Sequence, residues 1–198
     1  MIKFINPIEE KPYLIFREKY NEAVNADQQE VQVVSISSFN KDNNQIDSRC
    51  VNLKFIDEDK FIFFSNYNSP KAIAFESNNQ IAALIYWSSI NIQIRMRAKI
   101  FKTKNTFNEE YFKKRSLEKN ALAISSNQSK SISSYKKVVE NYNETKKNND
   151  LRKCPDYWGG FSFTPYYFEF WEGHESRINK REVFNKIDDT WEQSFLQP

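Results

Sequence analysis

Apolar and polar residues alternate without a break from Ile92 to Ile100, with Ile92, Ile94, Met96, Ala98 and Ile100 on one parity and Gln93, Arg95, Arg97 and Lys99 on the other. A period of two puts the two sets on opposite faces of a strand, one turned to a core and the other forming a basic ladder. Runs of β-branched and aromatic residues predict further strands at 31–38, 47–56, 60–66 and 80–87, the last forming a hairpin with 91–101 around Ser88 to Ile90. Beyond Pro155 the segments WGGFSF, YYFEFWEG, ESRINKREVF and TWEQSFL read as strands too. Helical spacing of Leu14, Arg17, Tyr20 and Val24, with Asn6 as cap and Pro7 in the first turn, predicts an opening helix over 7–26. Ser69 and Pro70 suit the N-cap and first position of a short helix through AIAFES. Thr106 and Glu109 make a capping box for a helix reaching about Lys119, and 131–148 is a second helical stretch. Strand-rich halves around a helical excursion predict a mainly β chain with peripheral helices, of α+β class. The expectation is one domain over 1–198, an antiparallel barrel with an N-terminal helix in 1–30 and a helical insertion at 104–150.

Composition narrows the chemistry. Seventeen Phe and 10 Tyr in 198 residues predict a core built from rings. With only 3 Gly, no glycine-rich phosphate loop or dinucleotide fingerprint can be assembled. One His and 2 Cys are too few for the common zinc sites, so no metal is expected, and nothing supplies a nucleophile for a triad through His174. Cys50 and Cys154 read as free thiols, and the absence of a signal-like apolar run or a span of about 20 apolar residues predicts a cytoplasmic protein without a membrane partner. A net charge of +3 is small for a protein whose main partner is a nucleic acid. The basic ladder keeps one non-enzymatic alternative in view, a barrel that binds single-stranded nucleic acid.

Candidate chemistry sits in three places. Arg177, Asn179 and Arg181 recur at period two in a predicted strand, with Trp171 before the Gly173 turn, a pattern suited to an aromatic anion. An edge strand protected by charge has the same pattern. Tyr111, Arg115 and Lys119 are spaced by four, which would align a hydroxyl and two cations on one helical stripe, as would any solvated helix face. Arg49, Lys54 and Lys71 fall at strand or helix ends, where side chains and helix N–H groups can hold a phosphate together.

The ordered set DSRCVNLK, FFSNYNSPKA, IQIRMRAK, EEYFKKR, NQSKSIS, YWGGF, FEFWEG and SRINKR resembles the pyridoxamine 5′-phosphate oxidase family from about Val31 to Pro198. The resemblance implies an FMN-binding split β-barrel, a homodimer with FMN at the subunit interface, and oxidation of pyridoxamine or pyridoxine 5′-phosphate to pyridoxal 5′-phosphate with O2 as acceptor, giving H2O2. It implies FMN contacts by Arg49, Cys50, Val51, Phe64, Ser65, Lys71, Gln93, Trp171 and Arg181, with Gln128 and Ser129 completing the site across the interface. Lys54, Tyr111, Arg115 and Arg177 match positions that hold the phosphorylated substrate. Four departures stand out. Pro70 occupies the place of an arginine on the FMN phosphate, removing a contact worth about 1.5–3 kcal/mol. Lys119 stands for a serine at the substrate phosphate, and Asn179 stands for a histidine above the pyridine ring, so Arg177 and Asn179 are the catalytic candidates. An Arg-x-x-Tyr lid pattern is missing from the N-terminal segment. These departures leave open an FMN-dependent oxidase acting on another anionic ring, of the phenazine-pathway type.

Overall fold

The computed structural model describes residues 1–198 and contains ten strands and five α-helices. In chain order they are β1 (Lys3–Ile5), α1 (Lys11–Asn25), β2 (Val33–Asn40), β3 (Gln45–Asn52), β4 (Phe55–Asp57), β5 (Lys60–Asn66), α2 (Pro70–Ser77), β6 (Gln80–Trp87), β7 (Ile92–Lys102), α3 (Asn105–Lys114), α4 (Leu117–Ser125), α5 (Tyr135–Asn148), β8 (Trp158–Glu172), β9 (Lys180–Ile187) and β10 (Thr190–Phe195). The sheet runs β1-β4-β5-β8-β7-β6-β2-β3, with β9 on β8 and β10 on β9. Every pairing is antiparallel except β1 with β4, and the sheet is not closed. The outcome is the mainly β, α+β architecture expected. No helix is long and apolar enough to cross a membrane.

Strand β8 organises the rest. One edge pairs with β7 along the length of both strands. On the other edge, Trp158 to Phe163 pair with β5, while Tyr167 to Glu172 pair with β9. The fork falls at a register irregularity, where Arg97 faces Tyr167 and Ala98 faces Pro165. Proline has no N–H for a ladder, so a bulge is where it can be placed inside a strand. The inward faces of this sheet and one stripe of α1 close a ring-rich core. Phe61 stacks on Phe163 at 5.2 Å, and Phe16 meets Phe61 edge-on at 5.0 Å.

Several boundaries differ from the sequence expectations. The opening helix starts at Lys11 with Pro12 in its first turn, and Asn6 sits at φ 45° instead of capping it. The residues before it form β1, held where the Ile2 amide donates to the Tyr20 hydroxyl. Segment 47–56 splits into β3 and β4. Leu53 N–H bonds to Gln32 and Lys54 N–H to Ile62, so the chain changes partners there, and Leu53 is fully buried at the change. The two segments WGGFSF and YYFEFWEG are one strand. Ser69 precedes α2, but its hydroxyl donates to the Asn66 carbonyl instead of capping the helix. The Thr106 capping box is not formed, because Thr106 is already inside α3, whose N-cap is Lys104. That helix ends at Arg115 and α4 begins after it. Buried Asn120 donates to the Phe112 carbonyl, which an unbroken helix would have given to residue 116. Finally, 131–148 contains α5, capped by Ser134 accepting from the Lys137 amide.

Phe61 is fully buried at the meeting of α1, β5 and β8. Phe61→Ala is expected to cost about 3–5 kcal/mol of stability, read as a lower urea midpoint at unchanged slope.

Candidate active site

Lys71 lies in the first turn of α2 and is 9% exposed. Its ammonium donates to the hydroxyls of Ser65 (3.1 Å) and Ser69 (3.2 Å) and forms no ion pair. Burial, assisted by the positive charge of Arg49, pushes its pKa down from the usual lysine range to about 8. Arg49 on β3 donates to the Ile36 carbonyl (3.1 Å) and the Ser38 hydroxyl (2.8 Å), and burial lowers its pKa too. Two partly desolvated cations beside two serine hydroxyls form a cradle for an anion. Val51 shares a face of β3 with Arg49, whereas Cys50 points to the opposite, exposed side.

Next to this cradle, Phe64, Ser65, Arg115, Lys119, Gln128 and Trp158 help to line a cavity of about 230 Å3. The Gln128 side-chain oxygen accepts from Ser65 Oγ and the Asn66 amide, both at 3.3 Å. Gln128 thus lines the pocket of its own chain, and Ser129 beside it is exposed at φ 66°. The aromatic wall is a tower. Phe64 stacks on Tyr111 at 4.1 Å and on Trp158 at 5.1 Å, and the Arg115 guanidinium lies over the Trp158 ring at 5.1 Å.

Tyr111, Arg115 and Lys119 do not form one helical stripe, since the helix breaks at Arg115. The break nevertheless gathers cations. Arg115 donates to the Lys119 carbonyl (2.8 Å) and to Asn120 Oδ1 (3.2 Å). Burial is the first cause that lowers the pKa of Lys54, and the charges of Lys119 and Arg115 add to it. Burial lowers that of Arg115 as well. Crowded, partly buried cations are costly in isolation and mark a place where an anionic ligand belongs.

A second group lies at the other end of β8. Gln93 faces Trp171, which faces Arg181, giving one row across β7, β8 and β9. The predicted row of Arg177, Asn179 and Arg181 is not a strand row. Strand β9 begins only at Lys180, and Arg177 occupies the left-handed region at φ 61° in a loop. That loop is tied by Asn179 Oδ1 accepting from the His174 amide (3.0 Å) and by the Arg177 amide donating to the His174 carbonyl (2.9 Å). Arg177 itself is exposed. Trp158 and Trp171 stand at opposite ends of β8, roughly 40 Å apart along an extended strand. One chain thus carries one group of candidate residues near each end of β8.

Residues 17–146 match the family described as pyridoxamine 5′-phosphate oxidase, and residues 158–198 match the pyridoxine 5′-phosphate oxidase C-terminal dimerisation region. The chain belongs to the pyridoxamine 5′-phosphate oxidase family. As a family member it is an oxidoreductase. A pyridoxine/pyridoxamine 5′-phosphate oxidase of Christiangramia forsetii is 34% identical over 194 residues, covering 96% of this chain and 90% of the relative. The chloroplastic enzyme 1 of Arabidopsis thaliana is 35% identical over 184 residues, covering 91% of this chain and 34% of that longer protein. Among solved structures, PhzG from Burkholderia lata in complex with tetrahydrophenazine-1-carboxylic acid superposes with a TM-score of 0.90 at 21% identity, covering 96% of this chain and 93% of the other. An FMN-binding, pyridoxamine 5′-phosphate oxidase-related protein of Nostoc punctiforme gives 0.76 at 12% identity, covering 92% and 97%. These two likenesses establish the shared fold.

Reasoning from the residues missed four contributors to this oxidase site. Trp158 carries Arg115, and Asn120 anchors it while also bonding the Leu151 carbonyl. Asn108 accepts from the Gly160 amide and donates to the Tyr67 hydroxyl, and a Cβ at Gly159 would collide with both of those side chains. A Cβ at the adjacent Gly160 would instead meet Thr103 Oγ1 at 2.5 Å, so each of the two glycines is required by a different neighbour. Glu169, only 1% exposed, binds Arg181. Of these, only the W-G-G-F run carried a signal in the sequence.

Lys71 has a folded pKa below that of the unfolded chain, so its burial as a cation is a cost below about pH 8 that is relieved as pH rises and the amine becomes neutral. The cradle loses its charge over the same range. Sulfate affinity, measured by calorimetry on either side of about pH 8, is expected to fall as pH rises, and Lys71→Met should flatten that dependence.

Proposed function

We propose that two copies of this chain, as a cytoplasmic homodimer, bind FMN between them and oxidise pyridoxamine or pyridoxine 5′-phosphate to pyridoxal 5′-phosphate. The observation that carries this reading is the pair of partly buried cation clusters, Arg115 and Lys119 lining the cavity with Lys54 within reach of their charge, and Lys71 with Arg49 joined to the cavity wall through Ser65. Two phosphates, one on the cofactor and one on the substrate, match two cradles. The wide separation of the half-sites along β8 supports the dimer, because a two-fold arrangement lets the Trp171 end of one copy meet the Ser65 end of the other. The dimerisation region matched at 158–198 contains that end.

When bound, FMN supplies the hydride acceptor, which O2 reoxidises with release of H2O2. The chain's own groups bind, orient and neutralise. Lys71, Arg49 and Ser65 would hold the cofactor phosphate, and Gln93, Trp171 and Arg181 would flank its ring system from the other copy. Tyr111, Arg115, Lys54 and Lys119 would hold the substrate phosphate, while Arg177 and Asn179 close over the pyridine. Positioning a planar substrate against a planar acceptor needs no protein nucleophile.

A second reading keeps FMN and changes the ring. Asn179 Oδ1 is committed to the His174 amide, so only its Nδ2 donor remains for a substrate. This favours a substrate with an acceptor at that point, such as a carboxylate.

The purified protein is expected to take up FMN, to be yellow, and to bleach when pyridoxamine 5′-phosphate is added without oxygen. A flavin spectrum that stays oxidised with both phosphorylated vitamers would move the assignment to the second reading. Arg177→Ala is expected to lower turnover by at least about a hundredfold while FMN content is retained, and unchanged turnover would overturn its role.

A further inference from the structure

A carboxylate as buried as that of Glu169, at 1% exposure, is costly unless every lone pair is used. Here three donors converge on it. Oε1 accepts from Arg181 Nε (2.9 Å), with Arg181 Nη2 in ion-pair contact at 2.8 Å, and Oε2 accepts from Arg95 Nη1 (2.7 Å) and the Tyr167 hydroxyl (2.9 Å). Burial, then the bond to Glu169, pushes the Tyr167 pKa upward, so its hydroxyl stays a donor. Register explains the convergence. Arg95 faces Glu169 directly on β7, and Arg181 reaches Glu169 along the same face of β9 from its place opposite Trp171.

Arg181 is gripped at a second point by Nη1 donating to the Gln197 carbonyl (3.0 Å). Of the five N–H groups of the guanidinium, those on Nε and Nη1 are engaged in hydrogen bonds, and Nη2 is held against the carboxylate by charge. Two hydrogen bonds set the plane of the group, and further N–H groups remain for a ligand at the residue paired with Trp171. An unanchored arginine would lose rotamer freedom on meeting a ligand, whereas this one has already lost it.

We propose that Glu169 is the positioning residue of the C-terminal half-site, fixing Arg181 beside Trp171 so that its remaining N–H groups are preorganised for the cofactor. The role rests on the FMN reading above. It differs from a purely structural ion pair in its coupling, because everything Glu169 contributes to cofactor binding passes through Arg181.

The test is FMN titration of the apoprotein followed by flavin fluorescence quenching, in the full chain and in Glu169→Gln, Arg181→Ala and the double variant. Glu169→Gln is expected to weaken FMN binding about tenfold, and to add nothing in the Arg181→Ala background. Glu169→Asp keeps the charge but withdraws the carboxylate from Arg181, so it is expected to weaken binding too and provides the same reading if Glu169→Gln does not fold. Arg95→Ala removes a partner of Glu169 without releasing Arg181, and is expected to leave FMN affinity within about twofold. Affinity unchanged in both Glu169 variants, an equal loss in Arg95→Ala, or additive losses in the double variant would each overturn the proposal. A parent protein that takes up no FMN overturns the function proposed above and this inference with it, whereas a parent that binds FMN beside unaffected Glu169 variants overturns this inference alone.

Discussion

Strand β8 has hydrogen-bonded partners along both edges, and the rest of the molecule is arranged around that pairing. Its first half is shared with β5 and its second with β9, while β7 spans both. The fork at Pro165 lets a single strand belong to two parts of the sheet, each with its own set of inward phenyl rings. Phe161 and Phe163 pack in one part, and Phe168 and Phe170 in the other. Rigidity follows from a ladder satisfied on both sides, and it places Trp158 and Trp171 at fixed, distant ends. Functional groups held on such a strand are located more firmly than groups on loops can be.

At the Trp158 end the protein tolerates an electrostatic imbalance. Lys71 is buried without an ion-pair partner, Arg49 meets only the Asp47 carboxylate at 3.9 Å, and Lys54 feels two neighbouring cations. Desolvated like charges cost stability in the empty protein, and an arriving phosphate reverses the sign of that energy. The Trp171 end is treated differently. Arg181 shares the Glu169 carboxylate with Arg95, which fixes its direction and offsets part of its charge. Elsewhere, exposed ion pairs such as Lys137 with Glu140 join neighbouring residues and contribute little.

The aromatic tower ties these charges to the core. Arg115, Trp158, Phe64 and Tyr111 stack in sequence, and Phe112 meets Trp158 edge-on from within α3 at 4.8 Å. A guanidinium on an indole face keeps its charge while losing little hydration-dependent stability. Because α3 ends at Arg115, that side chain turns back to meet both Asn120 and Trp158, which a continuous helix would not allow.

The sequence by itself determined the strand at Ile92–Lys102, since period-two alternation is a property of neighbours in the chain, and those at 60–66 and 80–87 from their runs of β-branched and aromatic residues. It also determined the exclusion of glycine-loop chemistry, and it picked out Arg49, Lys54 and Lys71 by their placement at element ends and Arg115 by its spacing from Tyr111 and Lys119. Tertiary structure alone decided where residues 47–56 divide, that WGGFSF and YYFEFWEG are one strand, that a helix stops at Arg115, and that Arg177 and Asn179 lie in a loop. Each of those outcomes turns on a hydrogen bond to a distant partner, such as Leu53 with Gln32 or Asn120 with Leu151, or on a left-handed residue at a turn. Local periodicity carries no record of such partners. It cannot show a buried carboxylate like Glu169 either, because along the chain that residue alternates with Phe168 and Phe170 as any solvent-facing glutamate would.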